Sequence, residues 1–507
     1  MIRNSLLLVA AVCYGLVANS GAANLARTNA ETAMTVTMDG GSAMKKLPAG
    51  VVLEVLQDNG DTLQVKDENG LVGTIAKSAL TVEQEAVVTV SATTAQPAVS
   101  GSNEAVAPAV PDANGKESPD GLNKAFGLEL FTDTNLWQDD ADAVAKRLGW
   151  PQESRTDTQS SYRLYAKSEV RVLGTRPYSL VLYAHDNKPD SLSMVFSNKG
   201  DFSGVGKKND EKKRDVAIKD FKDAVRDDAK IIEQTLSAAL GMPKRQTFGE
   251  TPETRESVAR WDWQEHAILL ASPKDEYVAV RIVRKDVADN YGRASRVDGL
   301  RELLQNRVLK RDNGDVVVQQ IPMVNQGPKG YCVPATWERY LRYMEIPADM
   351  YMLAMAGNTN MGGGTYVSSI VDNINIYVNR YGCKIQAVDA SLDTRNIARY
   401  VDKGLPLMWC CYVSKDIEKN ITRRSEQRRD TMDWDAYIKE LKAVKKQYRD
   451  ATFRDINAGH MRMIIGYNSK TGEIAISDSW GNWAAERWIT VEEAASTSQG
   501  YLCIIKW

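Results

Sequence analysis

Asn325-Gln326-Gly327-Pro328-Lys329-Gly330-Tyr331-Cys332-Val333-Pro334-Ala335-Thr336-Trp337 reads as a loop that delivers a cysteine to the start of a helix, and the rest of the chain is organised around it. Gly327, Pro328 and Gly330 punctuate a loop. From Val333 onward the apolar residues Val333, Trp337, Leu341 and Met344 fall at helical spacing on one face. Pro334 fits a first helical turn, where no N–H partner is needed. Cys332 therefore stands at a helix N-terminus, where unpaired N–H groups and the positive end of the macrodipole favour the thiolate, the reactive form of the side chain. Gln326, a little earlier in the loop, can turn its amide NH2 back to the same point. Together with the Cys332 backbone N–H it would make an oxyanion hole.

A thiolate nucleophile needs a base, and the whole chain holds 3 histidines. Only His460 lies downstream of Cys332. It stands in Gly459-His460-Met461-Arg462-Met463-Ile464-Ile465-Gly466-Tyr467, which after the histidine reads as a strand ending in a turn. The next strand, Glu473-Ile474-Ala475-Ile476-Ser477, runs directly into Asp478-Ser479-Trp480-Gly481. Two adjacent strands set His460 beside Asp478, so that the carboxylate holds the imidazole in its working tautomer. A cysteine at a helix start or a single histidine is often only structural. Here Gln, Cys, His and Asp recur in one order, which favours the catalytic reading.

These residues resemble a known family. NQGPKGYC with a helix behind it, GHMRMIIGYN and SDSWGNW are similar to the three active-site blocks of papain-like cysteine peptidases, and most similar to the bacterial branch related to bacteriocin-processing peptidases. The separation of Cys332 from His460 is close to the roughly 130 to 150 residues described for papain-like chains. The resemblance implies Gln326 as oxyanion donor, Cys332 as nucleophile, His460 as general base and acid, and Asp478 as the orienting third member. On the substrate side it implies Trp480, as a shield over the imidazole pair. It also implies Gly362, Gly363 and Gly364, within Asn360-Met361-Gly362-Gly363-Gly364-Thr365-Tyr366, as a glycine strand whose backbone pairs with substrate. A glycine cluster serves equally well as a turn. Papain has Asn where Asp478 stands, and no cysteine precedes Cys332 in the loop, so papain's bracing disulfide has no counterpart here. The resemblance covers roughly the last two-fifths of the chain.

Over 507 residues, 43% are hydrophobic and 26% charged, enough to build several cores. A net charge of -2 gives no reason to expect nucleic acid as a partner. Met1-Ile2-Arg3, the apolar run Leu6 to Val12 and the small residues up to Ala23 read as a signal peptide over 1–23, so the mature chain is expected to be exported, periplasmic or extracellular. No later stretch reaches the roughly 18 to 20 apolar residues of a membrane helix, so no stable membrane insertion is expected. Five cysteines remain beyond residue 23: Cys332, Cys383, Cys410, Cys411 and Cys503. The odd number leaves at least one free thiol, as a nucleophile requires. Cys410 and Cys411 read as buried in the strand Leu407 to Tyr412.

The fold expected is multidomain, with a small all-β SH3-like barrel, a pseudo-symmetric α+β middle domain and an α+β papain-like peptidase domain. Residues 31–84 alternate short strands (Ala33 to Met38, Gly50 to Leu56, Thr62 to Val65, Gly70 to Ile75) with turns at Asn59-Gly60 and Asn69-Gly70, and resemble a bacterial SH3-like barrel. The barrel lacks the Arg and Trp often seen in such modules, and a spacer role stands beside wall or peptide binding. Residues 85–120 shift to Ala, Val, Thr, Ser, Pro and Gly without period, a flexible linker. Residues 121–300 carry an apparent internal repeat, each unit a helix ending in Gly-x-Pro (Gly149 to Pro151, Gly241 to Pro243) followed by three strands. His185 and His266 fall in this domain without metal-ligand spacing. Residues 301–507 form the peptidase domain. Within it Val413 to Asp455, with a helix over Trp434 to Tyr448, reads as an insertion that either overhangs the cleft or lies solvated on the surface.

The function this implies is hydrolysis of a peptide bond through a Cys332 thioester, on a peptide or protein substrate, in an exported bacterial enzyme. The chemistry calls for no metal and no cofactor. Two rivals remain open. One is a cell-wall peptide endopeptidase, suggested by the SH3-like module. Against it stand Tyr331-Cys332-Val333-Pro334, where an Asp-Cys-Ser-Gly block is expected, and the lack of a second downstream histidine. The other is a binding protein on an inactive peptidase scaffold, against which the complete Gln326, Cys332, His460 and Asp478 set argues.

Overall fold

The computed structural model describes residues 24–29, 32–38, 41–47, 51–58, 61–66, 72–83, 118–202, 211–328, 330–455 and 458–507. The expected signal peptide, the turns at Asn59-Gly60 and Asn69-Gly70, and nearly all of the expected linker lie outside them. The chain is multidomain with mixed α/β content, and it divides into two compact units, Met1–Ala107 and Pro108–Trp507.

The first unit is a seven-stranded antiparallel sheet. Its strands run, edge to edge, Gly41–Leu47, Thr32–Met38, Val72–Ala76, Thr62–Lys66, Val52–Asp58, Asn24–Thr28 and Leu80–Glu83. Met34, Leu53, Leu63, Val65 and Ile75 form its core, in the period-two pattern of strands with one buried face. The sheet begins upstream of residue 31. Asn24–Thr28 pairs with Val52–Asp58 on one side and Leu80–Glu83 on the other, so long-range pairing, not local pattern, orders it.

The second unit contains two sheets. The first comprises eight antiparallel strands in the order Lys244–Phe248, Glu256–Trp263, His266–Ala271, Tyr277–Arg284, Lys188–Asn198, Ser179–His185, Gln159–Tyr165 and Gln152–Arg155. This is two four-strand meanders joined through their last strands, each preceded by a helix, Ala141–Leu148 or Glu211–Leu240. The repeat reading expected three strands per unit; the extra ones, Gln152–Arg155 and Lys244–Phe248, are the polar edges of the sheet. Edge strands need no apolar alternation, and charge on them discourages pairing with other chains. The linker boundary also shifts, because a helix occupies Pro119–Phe126.

Both faces of this sheet are covered in its middle. Leu192, Met194, Phe196, Val278, Val280 and Ile282 pack on Phe221, Ile232 and Leu236 of the long helix. The alternate residues Val195, Tyr277 and Ala279 pack on Val324, Tyr331, Ala335, Met350, Tyr351 and Ala354 of the C-terminal region. Two-sided burial explains why Tyr277 to Val283 is apolar at every position but Arg281, whose guanidinium pairs with the buried Glu256.

The C-terminal region holds the other sheet. Its main order is Val308–Lys310, Val316–Val318, Gly459–Asn468, Leu407–Tyr412, Ser498–Lys506 and Lys384–Val388, with Glu473–Ser477 and Arg487–Thr490 branching from Gly459–Asn468. The helix Cys332–Tyr343 lies between the two sheets. Val333, Trp337, Tyr340 and Leu341 join the C-terminal core, while Ala335 joins the cluster against the middle domain. Its polar residues are consequently buried and must be satisfied inside the protein. Glu338 accepts from Tyr183 Oη at 2.8 Å, Arg342 Nε at 2.9 Å and the Met350 N–H at 2.8 Å, and lies 3.8 Å from Arg163. No helix among the described residues is long and apolar enough to cross a membrane.

Glu338 thus ties the middle domain to the helix that begins at Cys332. Glu338→Ala leaves the Tyr183 hydroxyl, Arg342 Nε and the Met350 N–H without their buried acceptor, and should destabilise the protein by about 3–5 kcal/mol. Denaturant unfolding of the two proteins checks this, and equal stabilities would show that the buried carboxylate is not what joins the two regions.

Candidate active site

The loop ends at Tyr331 and the helix begins at Cys332, as the spacing of Val333, Trp337, Leu341 and Met344 predicts. His460 is the second residue of Gly459–Asn468, and Asp478 follows the last residue of Glu473–Ser477. These strands are antiparallel neighbours with Met463 opposite Ser477. The pairing carries the two residues to the same end of the sheet, where His460 Nε2 lies 2.7 Å from Asp478 Oδ1. The Cys332 thiol is hydrogen-bonded to the same imidazole. With Nε2 facing the carboxylate, Nδ1 is the nitrogen that serves the sulfur.

Burial pushes the Cys332 thiol up, but the hydrogen bond and charge of His460, with the backbone at Met461 and Val333, outweigh it and hold the thiol below its ordinary value. Burial pushes His460 down, and its bonds to Asp478 and Cys332 reverse that, raising the imidazole above its ordinary value. The two shifts favour one state, a thiolate facing an imidazolium. The other four thiols behave in the opposite way. The five cysteines among the described residues are all unpaired, and burial drives Cys383 up to about 11, Cys411 and Cys503 up to about 12, and Cys410 upward as well.

Asp478 has further partners that the sequence reading missed. Arg462 Nε lies 3.0 Å from Oδ1 and Arg487 Nη2 2.6 Å from Oδ2. Glu418, on the helix Lys415–Arg429, bridges both guanidinium groups at 2.8 and 2.9 Å. Burial alone would raise the Asp478 carboxyl. Arg462, the His460 hydrogen bond and Arg487 overcome it and hold the carboxyl well below the usual range. Helix Lys415–Arg429 lies in the segment that reads as an insertion. Its inner face is anchored by charge, since Arg428 binds Asp315 at 2.6 and 2.9 Å and Glu473 at 3.1 Å.

Gln326 sits on the Asp478 side. Its N–H donates to the Ser479 carbonyl at 2.9 Å, and its Oε1 accepts from Ser479 Oγ at 2.8 Å. With Oε1 committed to Ser479, the remaining amide group of Gln326 is a donor, the polarity an oxyanion hole needs. Trp480 stacks on His460 with ring centroids 4.6 Å apart, and Trp483 continues the stack at 6.0 Å from Trp480. A cavity of about 670 Å³ opens beside this wall, lined by Trp434, Trp483, Arg487 and Trp488 among others, while Cys332, His460 and Gln326 do not line it.

Gly362, Gly363 and Gly364 form a turn with φ of 82°, 98° and 91°. Gly363 bridges Gly330 of the nucleophile loop, so closely that a Cβ on Gly363 would fall 2.8 Å from the Gly330 Cα. Only glycine fits there. The three N–H groups donate to Lys199 O at 3.1 Å, Asn360 O at 2.9 Å and Gly330 O at 2.9 Å. Pairing of a peptide with these donors, as the resemblance implies, requires one of those carbonyls to give way. His266 lies far from this chemistry in its bonding. It accepts from the Leu136 N–H at 3.2 Å, its Nδ1 faces Trp263 O at 3.2 Å, and burial pushes it down to about 4.

Residues 318–503 match the Peptidase_C39 like family, a stretch that includes Gln326, Cys332, His460 and Asp478. The match supports a peptidase of the papain-like cysteine type, and it does not extend to the upstream domains. No curated protein matches the chain.

Replacing Asp478 by Asn removes the negative charge between His460 and two buried arginines. Two consequences should follow together. Stability should fall by about 3–5 kcal/mol, because Arg462 and Arg487 are left with Glu418 alone. The imidazolium should also lose its proton at lower pH, and the Cys332 thiol should ionise at higher pH, since each charged form loses support. Alkylation of Cys332 by iodoacetamide against pH, with denaturant unfolding, measures both. An unmoved alkylation midpoint in Asp478→Asn would mean that the carboxylate does not act on the thiol–imidazole pair.

Proposed function

We propose that this chain is an exported bacterial cysteine peptidase that hydrolyses peptide bonds through a thioester at Cys332, akin to the bacteriocin-processing branch. The single observation that carries the reading is the line of Cys332, His460 and Asp478, in which the thiol is held below and the imidazole above its ordinary ionisation. A thiolate facing an imidazolium, inside a region that matches a peptidase family, is the arrangement acyl transfer from a peptide requires.

In the reaction that follows from this geometry, the Cys332 sulfur attacks the scissile carbonyl carbon, and the π electrons of the C=O move onto oxygen. The Gln326 amide and the Cys332 N–H donate to that oxyanion. As the tetrahedral species collapses, the C–N bond breaks and the His460 imidazolium gives its proton to the leaving amine. His460 then takes a proton from water, whose oxygen attacks the thioester. Release of the carboxylic acid product restores the thiolate and the imidazolium. Asp478 keeps the ring in register through both halves, and Trp480 keeps water off the pair. The N-terminal sheet is read as an SH3-like module, a spacer or a ligand-binding unit, that takes no part in this chemistry.

Cys332→Ala and His460→Ala should each abolish hydrolysis of a mixed peptide library while leaving the circular dichroism unchanged. The double substitution should be no worse than either one, because members of one catalytic unit fail together. Gln326→Ala should lower kcat by roughly 10² to 10³ with KM little changed. Retention of a tenth or more of the activity in either single variant, an illustrative threshold set against losses of order 10⁴ for triad members, would end this reading.

A further inference from the structure

Ser479, inside the region that matches the peptidase family, bonds Gln326 directly, but the residues that hold its neighbours Asn325 and Gly327 come from outside that region. Glu153 lies on the edge strand Gln152–Arg155 of the middle domain, and its Oε1 accepts the Asn325 N–H at 2.7 Å. The same carboxylate is itself fixed by Arg163 Nε at 2.7 Å and Ser161 Oγ at 3.1 Å, both on the neighbouring strand. Tyr165, at the end of that strand, donates its hydroxyl to the Asn325 carbonyl at 2.5 Å. Both peptide groups of Asn325 are thus gripped by one rigid sheet. Asn325 passes the constraint on, because its Oδ1 accepts the Gly327 N–H at 3.0 Å. The Tyr165 ring lies against Gly327, where a Cβ would come within 2.9 Å of Cζ and where φ is 71°. Gln326 is therefore flanked on both sides by residues that Tyr165 or Glu153 touches.

The grip extends along the loop. Tyr331, the residue before Cys332, donates its hydroxyl to Asn198 Oδ1 at 2.6 Å and accepts the Gly200 N–H at 3.1 Å. Lys199 O takes the Gly362 N–H on the far side of the loop. A loop rich in glycine would otherwise sample many conformations.

We propose that the middle domain is a working part of the site, and that Tyr165 and Glu153 are positioning residues that set the Gln326 amide for the oxyanion. They touch neither the thiol nor the substrate, and act through the Asn325 peptide. This rests on the proposed peptidase chemistry and adds a role for a domain that the family match leaves out. A donor displaced by a fraction of an ångström still binds the ground state but loses its aim at the developing charge, so the effect belongs in kcat.

The test uses the full chain and N-benzyloxycarbonylglycine p-nitrophenyl ester, an activated ester open to any competent thiol acyl-transfer site, with Cys332→Ala as the blank. Tyr165→Phe removes one hydroxyl and keeps the ring against Gly327. It should lower kcat about tenfold, a part of the roughly 10²- to 10³-fold tied to loss of a whole oxyanion donor. KM and the iodoacetamide alkylation rate of Cys332 should stay as they are. In a Gln326→Ala background the same substitution should cost nothing more, because the group it positions is gone. Glu153→Gln is the second probe, with the same expected dependence on Gln326. An unchanged kcat in Tyr165→Phe, an equal loss with and without Gln326, or a loss confined to KM would overturn the proposal. If Cys332→Ala or Gln326→Ala instead turn over the ester as the unaltered protein does, the peptidase reading itself fails, which the same assay distinguishes.

Discussion

The helix Cys332–Tyr343 is buried from two sides, between the middle-domain sheet and the C-terminal core, and most of the molecule is arranged to make that possible. Two-sided burial fixes the helix N-terminus rigidly, which is where a nucleophile must be. It also traps charge. Glu338 and Arg339 have no route to solvent, so each must find partners among neighbouring elements: Arg339 takes Pro322 O and Ser477 Oγ of the C-terminal region, while Glu338, with the partly buried Arg342, takes Tyr183 and so binds the middle domain to the site. A buried ionic set of this kind adds little net stability over an apolar core, but losing one member is costly, so it specifies one arrangement of the two regions.

The same logic governs the carboxylate. A lone Asp478 in this interior would tend toward its neutral form, and a neutral carboxyl beside His460 would not hold an imidazolium. Arg462 and Arg487 keep it ionised, and Glu418 in turn balances the two arginines. The stacked Trp480 and Trp483 lie within cation–π reach of Arg487, at 5.2 Å each, so wall and charge set form one packed body. Helix Lys415–Arg429 supplies the outermost charge, which gives a structural purpose to a segment whose composition reads either as an overhang of the cleft or as a solvated surface.

The loop, the helix start, the histidine strand and the aspartate turn were legible because each is a local pattern: glycine and proline punctuation, apolar residues at helical spacing, a short strand meeting a turn. Helix Trp434–Tyr448 was legible for the same reason. Glu418 and Arg487 were not, since their meaning lies in contacts between elements far apart in sequence. Arg462 offered a signal, because it stands two residues beyond His460 in an otherwise apolar strand and therefore on the same face. Ser479, adjacent to Asp478, offered another. The edge strands Gln152–Arg155 and Lys244–Phe248 were hidden by their polarity, and Glu153 and Tyr165 by their position in a domain that carries no peptidase pattern. The glycine turn shows the limit of analogy: its three N–H groups already have acceptors within the protein.

The central claim is that, of the five thiols among the described residues, one is set apart by its imidazole and carboxylate. Reaction of the intact chain with a peptidyl vinyl sulfone, followed by digestion and mass mapping of Cys332, Cys383, Cys410, Cys411 and Cys503, tests it most directly. The account predicts a single adduct per chain, on Cys332, that forms near neutral pH and is slowed by orders of magnitude when His460 is replaced by Ala. An adduct on another cysteine, or labelling of Cys332 at the same rate without His460, would contradict it.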